Sequence, residues 1–149
     1  MPGRILLVDD DNSVRDSLYM LLESAGYEVL SASNGLDGLT IFRQSVRPVD
    51  LLVTDYNMPQ MSGLELAREC SRLFPGLRVL YVSGSGVDEE LEADLQASKR
   101  AFLAKPFRGM ICSARRERCC RKRQTRPKSR SFLNTSQVRQ LTNLLFREG

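Results

Sequence analysis

The sequence predicts an α/β domain, a doubly wound sheet of parallel strands with helices on both faces. Two observations predict it. Short apolar runs alternate with helix-length amphipathic stretches through the first hundred residues, the spacing of strand–helix–strand units. The runs also end on polar groups. Ile5-Leu6-Leu7-Val8 leads into Asp9, Asp10 and Asp11, Val49–Thr54 into Asp55, and Ala101–Ala104 into Lys105-Pro106. In a parallel sheet these endings meet at one edge, the edge where such sheets bind ligands. A carboxylate cluster beside one lysine is chemistry for a divalent cation and a phosphoryl group.

Strand-like segments fall near 4–8, 27–31, 49–54, 77–82 and 101–104. Between the first two, Asn12 or Ser13 is the expected cap of a helix carrying Val14, Leu18, Leu21, Leu22 and Ala25 at a period near 3.6. Gly26 supplies its left-handed stop. Leu36, Leu39, Ile41 and Phe42 mark a second helix, ended before Pro48. Leu64, Leu66, Ala67 and Leu73 mark a third, stopped by Pro75-Gly76. Val87, Leu91 and Leu95 mark a fourth, with Asp88, Glu89 and Glu90 favourable at its positive end. Ser83, like the acids and Lys105, falls at a strand end.

The 149 residues are enough for one domain with an appendage, and 42% hydrophobic content supports an ordinary core. No run approaches the roughly 20 apolar residues of a membrane span. Met1-Pro2-Gly3-Arg4 leads directly into the first strand, so the sequence reads as lacking a secretory signal and as cytoplasmic, with no membrane partner. Charge divides the chain. Residues 1–107 hold 10 Lys and Arg against 16 Asp and Glu, and residues 108–149 hold 12 against 2. Three of the four cysteines, Cys112, Cys119 and Cys120, fall in this basic tail, but their spacing fits no zinc site and the chain has no His. Free thiols in a reducing compartment are the expectation.

The residues Val8-Asp9-Asp10-Asp11, Asp55-Tyr56-Asn57-Met58-Pro59 with Gly63, Ser83-Gly84 and Lys105-Pro106-Phe107 resemble the receiver domain of two-component response regulators. The resemblance runs from Arg4 to about Phe107. Any single motif is weak, but all of them in order, on the right elements, are specific. The resemblance implies a flavodoxin-like five-stranded sheet in the order 2-1-3-4-5, which is inherited from the family. It implies that Asp55 is the phosphoacceptor, forming an aspartyl phosphate. Asp9 and Asp10, with Asp55 and the backbone carbonyl of Asn57, would hold Mg²⁺, a hard cation that takes oxygen ligands and keeps several waters. Lys105 and Ser83 would bind the phosphoryl oxygens, Phe102 would follow the movement of Ser83, and Pro106 would hold a structural turn. The implied partners are a sensor histidine kinase or a histidine phosphotransfer protein upstream and an effector protein, which the sequence does not identify, downstream. The chain would catalyse only its own phosphorylation and autodephosphorylation.

Taken singly, each residue has a plainer reading. Asp9 and Asp10 could be a solvated strand end, Ser83 a turn residue, Phe102 core and Lys105 surface charge. Asp11 reads as solvated, and Tyr56 and Met58 flank the acceptor where they could tune access of water. An Asp-nucleophile phosphatase is a competing class, but Asn57, two residues after Asp55, cannot serve as the general acid such enzymes need. The tail departs from the family. Met110–Cys120 does not offer the amphipathic fifth helix that should follow Phe107, Arg115–Arg123 has no apolar stripe, and Thr125–Ser131 reads as a linker. Codons compatible with Met110–Gln124 can encode, read one nucleotide earlier, the apolar helix Asp-Leu-Leu-Arg-Ala-Ala-Arg-Glu-Val-Leu-Gln-Lys-Ala-Ala, a shifted frame that the gene's nucleotide sequence tests. Residues 108–149 otherwise read as a partly disordered basic segment with a short helix near 135–146, capped by Thr135 or Ser136 and carrying Val138, Leu141, Leu144 and Leu145. Its basic run offers nucleic acid as an alternative partner, through phosphates.

Overall fold

Five strands, β1 (Arg4–Val8), β2 (Glu28–Ala32), β3 (Leu51–Asp55), β4 (Arg78–Ser83) and β5 (Arg100–Ala104), form one sheet in the order β2-β1-β3-β4-β5 with every pairing parallel. This is the order the family resemblance implied. The structure, a computed structural model, describes residues 3–97 and 99–104. Four helices connect the strands: α1 (Asn12–Ser24), α2 (Gly35–Gln44), α3 (Gly63–Leu73) and α4 (Glu89–Leu95). Lys105, Pro106, the fifth-helix region and the helix expected near 135–146 lie outside the described residues.

Strand alternation sorts the sheet into two faces. Leu6, Val8, Leu52, Val79 and Tyr81 share a core with Leu39 of α2, with Leu64, Leu66, Ala67 and Cys70 of α3, and with Leu91 of α4. Ile5, Leu7, Leu51 and Val53 point the other way and are equally buried. On this face α1 meets β1 and β2 and buries Leu18 and Leu22. A fully buried leucine contributes about 1.5–3 kcal/mol relative to exposure, so β1 and β3, apolar on both faces, anchor the sheet. Gly38 lets α2 lie close on β1: a Cβ there would stand 2.8 Å from Val8 Cγ2. Burial also accounts for Cys70, whose thiol pKa is pushed up to about 12, mainly by desolvation.

Four details differ from the sequence reading. Asp11, not Asn12 or Ser13, caps α1, accepting the N–H groups of Ser13 and Val14 at 2.9 and 3.3 Å. A carboxylate one residue earlier reaches these orphan donors better than either expected cap. Leu73 is 52% exposed at the end of α3, and Cys70, three residues earlier, takes the core position. Val87 lies before α4 and is exposed, because Asp88 is the cap. Asp55 belongs to β3 itself, in register with Val82 of β4. Gly26 does adopt the left-handed conformation, with φ 96°.

Candidate functional site

The strand order reverses between β1 and β3, and both strands deliver carboxylates to that point. Asp9 follows Val8, and its N–H extends the ladder to the carbonyl of Ala32 at 3.2 Å. Its side chain is 1% exposed and accepts the N–H of Asp11 at 2.9 Å. Arg15 on α1 pins the same turn, donating to the Asp9 carbonyl at 2.8 Å and to Asn12 Oδ1. Asp55, the last residue of β3, is 7% exposed, whereas Asp10 is exposed. One carboxylate oxygen from each of Asp9, Asp10 and Asp55 lies within 4.8 Å of the others. Ligands on opposite sides of an octahedral Mg²⁺ stand about 4 Å apart. An all-oxygen set of this size therefore fits a hard divalent cation with little adjustment. Without one, three clustered carboxylates repel each other and any incoming phosphate.

The loop after Asp55 is drawn tightly beneath it. Gly63 donates its N–H to the carbonyl of Tyr56 at 2.9 Å, and a Cβ on Gly63 would stand 2.1 Å from the carbonyl O of Asp55. Only glycine allows that approach. Gln60 takes a left-handed φ of 69° in the same loop. Ser62 then starts α3 with a capping box, its hydroxyl on the Glu65 N–H and the Glu65 carboxylate on the Ser62 N–H. Ser62 thus has a structural task.

Ser83 ends β4 and is 1% exposed. Its Oγ accepts the Ser85 N–H at 3.2 Å and lies 3.1 Å from Ser85 Oγ. Ser85 Oγ in turn accepts a hydrogen bond from the side-chain amide of Asn57. Phe102 on β5 pairs in register with Tyr81 and is half-buried against the core. The structure therefore brings together Asp9, Asp10 and Asp55, and joins Ser83 to Asn57 through Ser85. Lys105 and Pro106 lie beyond the described residues.

Tyr56 is the contact that sequence reasoning missed. Its ring stands edge-on to Tyr81, with centroids 6.4 Å apart at 88°, and its hydroxyl donates to Asp88 Oδ2 at 2.6 Å. Burial, then the bond to Asp88 and its negative charge, push the phenol pKa up to about 12. The same bond, followed by the Leu91 N–H, holds Asp88 below the usual carboxylate range. No local pattern announces a pairing across 32 residues.

Residues 5–111 match the family model described as the response regulator receiver domain. The chain belongs to that family. The response regulator receiver protein CpdR of Brucella abortus (strain 2308) is 40% identical over 105 residues, which are 70% of this chain and 85% of that protein. The transcriptional regulatory protein GlrR of Escherichia coli (strain K12) is 34% identical over 105 residues, 70% of this chain but 23% of GlrR. A CheY-like response regulator receiver domain protein of Methanospirillum hungatei JF-1 superposes with a TM-score of 0.64 at 30% identity, covering 76% of this chain and 91% of that one. The receiver domain is a module of two-component phosphorylation-dependent signalling, and the expectation of a signalling switch stands. Neither the phosphatase reading nor the nucleic-acid reading gains support from these likenesses. Among the described residues, no helix is long and apolar enough to cross a membrane.

Proposed function

We propose that this receiver domain is a switch phosphorylated on Asp55. The observation that carries the reading is the convergence of Asp9, Asp10 and Asp55 within 4.8 Å at the β1/β3 switch point. An Asp55 carboxylate oxygen attacks the phosphorus of a phosphohistidine protonated on its other ring nitrogen, the P–N bond breaks as the P–O bond forms, and the bond's electron pair stays on the nitrogen, so that neutral imidazole leaves. These 149 residues hold no His, so the donor imidazole lies outside them, on a sensor histidine kinase or a histidine phosphotransfer protein. Asp9 and Asp10, with Asp55 and the Asn57 carbonyl, would hold Mg²⁺. Bound there, the cation offsets the carboxylate charge and the charge on the phosphoryl oxygens. Lys105 supplies an ammonium for one of those oxygens and Ser83 a hydroxyl for another, with Phe102 following Ser83 inward and Pro106 shaping the turn after Lys105. Hydrolysis of the aspartyl phosphate by water resets the switch, and its setting is the cytoplasm, where it meets a downstream effector.

The phosphoryl group adds about −1.5 to −2 charges and three acceptors. Ser83 must leave Ser85 to reach it, and this biases the segment after β4 between two arrangements. Intact-mass measurement after incubation with Mg²⁺ and acetyl phosphate tests the reading. The parent chain gains one phosphoryl group and Asp55→Asn gains none. A folded parent that gains nothing, or a variant that gains as much, overturns it.

A further inference from the structure

The helix α4 is held to the domain in an unusual way. It has seven residues, too few to be stable alone. Leu91 is its one buried side chain, with Leu95 half-buried. Two phenol–carboxylate hydrogen bonds supply the rest of the grip. At the C-terminal end Tyr81 donates to Asp94 at 2.5 Å. Asp94 is also paired with Arg100 at 3.1 Å, and Arg100 further bonds Ser71 Oγ and the Leu77 carbonyl. At the N-terminal end Asp88 divides its carboxylate, with Oδ1 capping the helix at the Leu91 N–H and Oδ2 accepting from Tyr56. Every residue from Gly84 to Glu90 is exposed.

We infer that Tyr56 is a positioning residue that ties the N-terminus of α4 to the phosphoacceptor loop and holds the segment after β4 in its resting arrangement. The inference rests on the proposed role of Asp55 and goes beyond it. Tyr56 is the residue after Asp55, and Asp88 is five residues after Ser83. A Ser83 hydroxyl turning toward a phosphoryl group on Asp55 pulls the Gly84–Asp88 segment with it, and the Tyr56–Asp88 bond opposes that displacement. The Tyr56 ring cannot follow, because it is packed in the core against Tyr81. The tether therefore weights the equilibrium toward the unphosphorylated form, and its removal releases the switch.

Two variants remove the bond and leave the packing. Tyr56→Phe keeps the ring. Asp88→Ser keeps a good helix cap while giving up the second carboxylate oxygen. The measurement is the affinity of the full chain for beryllofluoride, a mimic of the phosphoryl group, by calorimetry at saturating Mg²⁺. Loss of a hydrogen bond made only in the resting form should tighten binding about two- to tenfold in both variants. Tyr81→Phe, which releases the other end of α4, should leave the affinity within twofold of the parent. Mere loosening of the fold does not tighten binding, so the direction separates positioning from structural support. Unchanged or weaker binding by Tyr56→Phe and Asp88→Ser, beside a parent that binds, overturns the inference alone, as does an equal gain in Tyr81→Phe. A parent that does not bind overturns it together with the reading of Asp55.

Discussion

Around Asp9 and Asp55 the backbone is fixed by strands, with all of β3 buried and β1 buried except at Arg4, whereas every residue from Gly84 to Glu90 is exposed. The two regions face each other across the same edge of the sheet and are built on different principles. On the first side, apolar side chains on both faces of β1 and β3, the glycine beneath Asp55 and the capping box of α3 set the carboxylates in place. On the second, α4 has one buried leucine and is steered by hydrogen bonds from Tyr56 and Tyr81. Hydrophobic burial is non-directional and strong in sum, so it suits the half that must keep a metal-binding geometry. Hydrogen bonds are directional and modest in net energy, so they suit the half that must change partners. Segments with few buried apolar contacts open at low free-energy cost.

One pair of substitutions separates the two regions. Leu66 in α3 and Leu91 in α4 are both fully buried. Leu66→Ala should lower global stability by about 2–5 kcal/mol, read from the denaturant midpoint. Leu91→Ala should cost less globally and act by speeding amide exchange in α4 alone. Equal global losses would mean that α4 is part of the rigid half. Gly63→Ala probes the tight approach beneath Asp55, where the backbone must shift, and should cost about 1–3 kcal/mol or more, with weakened Mg²⁺ binding as a second readout. Ser62→Ala removes one arm of the capping box and should cost about 1 kcal/mol in the same assay, with Mg²⁺ affinity retained.

Titration has the smallest expected effect and the most local one. The Tyr56 phenol is raised from the usual 10 to about 12. Its contribution to stability is complete below pH 10 and is lost as pH rises from 10 to 12. Absorbance at 295 nm should show a phenolate step near pH 12 that disappears in Tyr56→Phe. Asp88 shifts the other way. Its depressed carboxylate contributes above the ordinary carboxylate pKa, and the contribution is lost as pH falls through the depressed value. The tether should therefore loosen in acid and in strong alkali and hold between.

Much of the rigid half was legible in the sequence because its signals are local. Apolar runs ending in Asp9-Asp10 and in Asp55, Gly26 as a helix stop and the proline breaks each depend on neighbours within a few residues. The family resemblance added the strand order, which periodicity alone does not set. The misreadings fall where alternatives lie one or a few residues apart, as with Asp11 against Asn12 and Cys70 against Leu73, since helical periodicity tolerates either. The polar ties of the α4 half were not legible. Tyr56 to Asp88 and Tyr81 to Asp94 join residues 32 and 13 apart whose types are ordinary at their positions. The family match ends at residue 111, close to residue 108, where the apolar pattern dissolves.

In the proposed switch a phosphoryl group on Asp55 is read by the segment from Gly84 through α4 and not by the carboxylate-bearing half. Hydrogen exchange of the full chain, with Mg²⁺ and with or without beryllofluoride, tests it most directly. Exchange should change in peptides covering Gly84–Leu95, while those covering α2 and the body of α3 stay as they were. A uniform change across the domain, or one confined to α2 and α3, would contradict it.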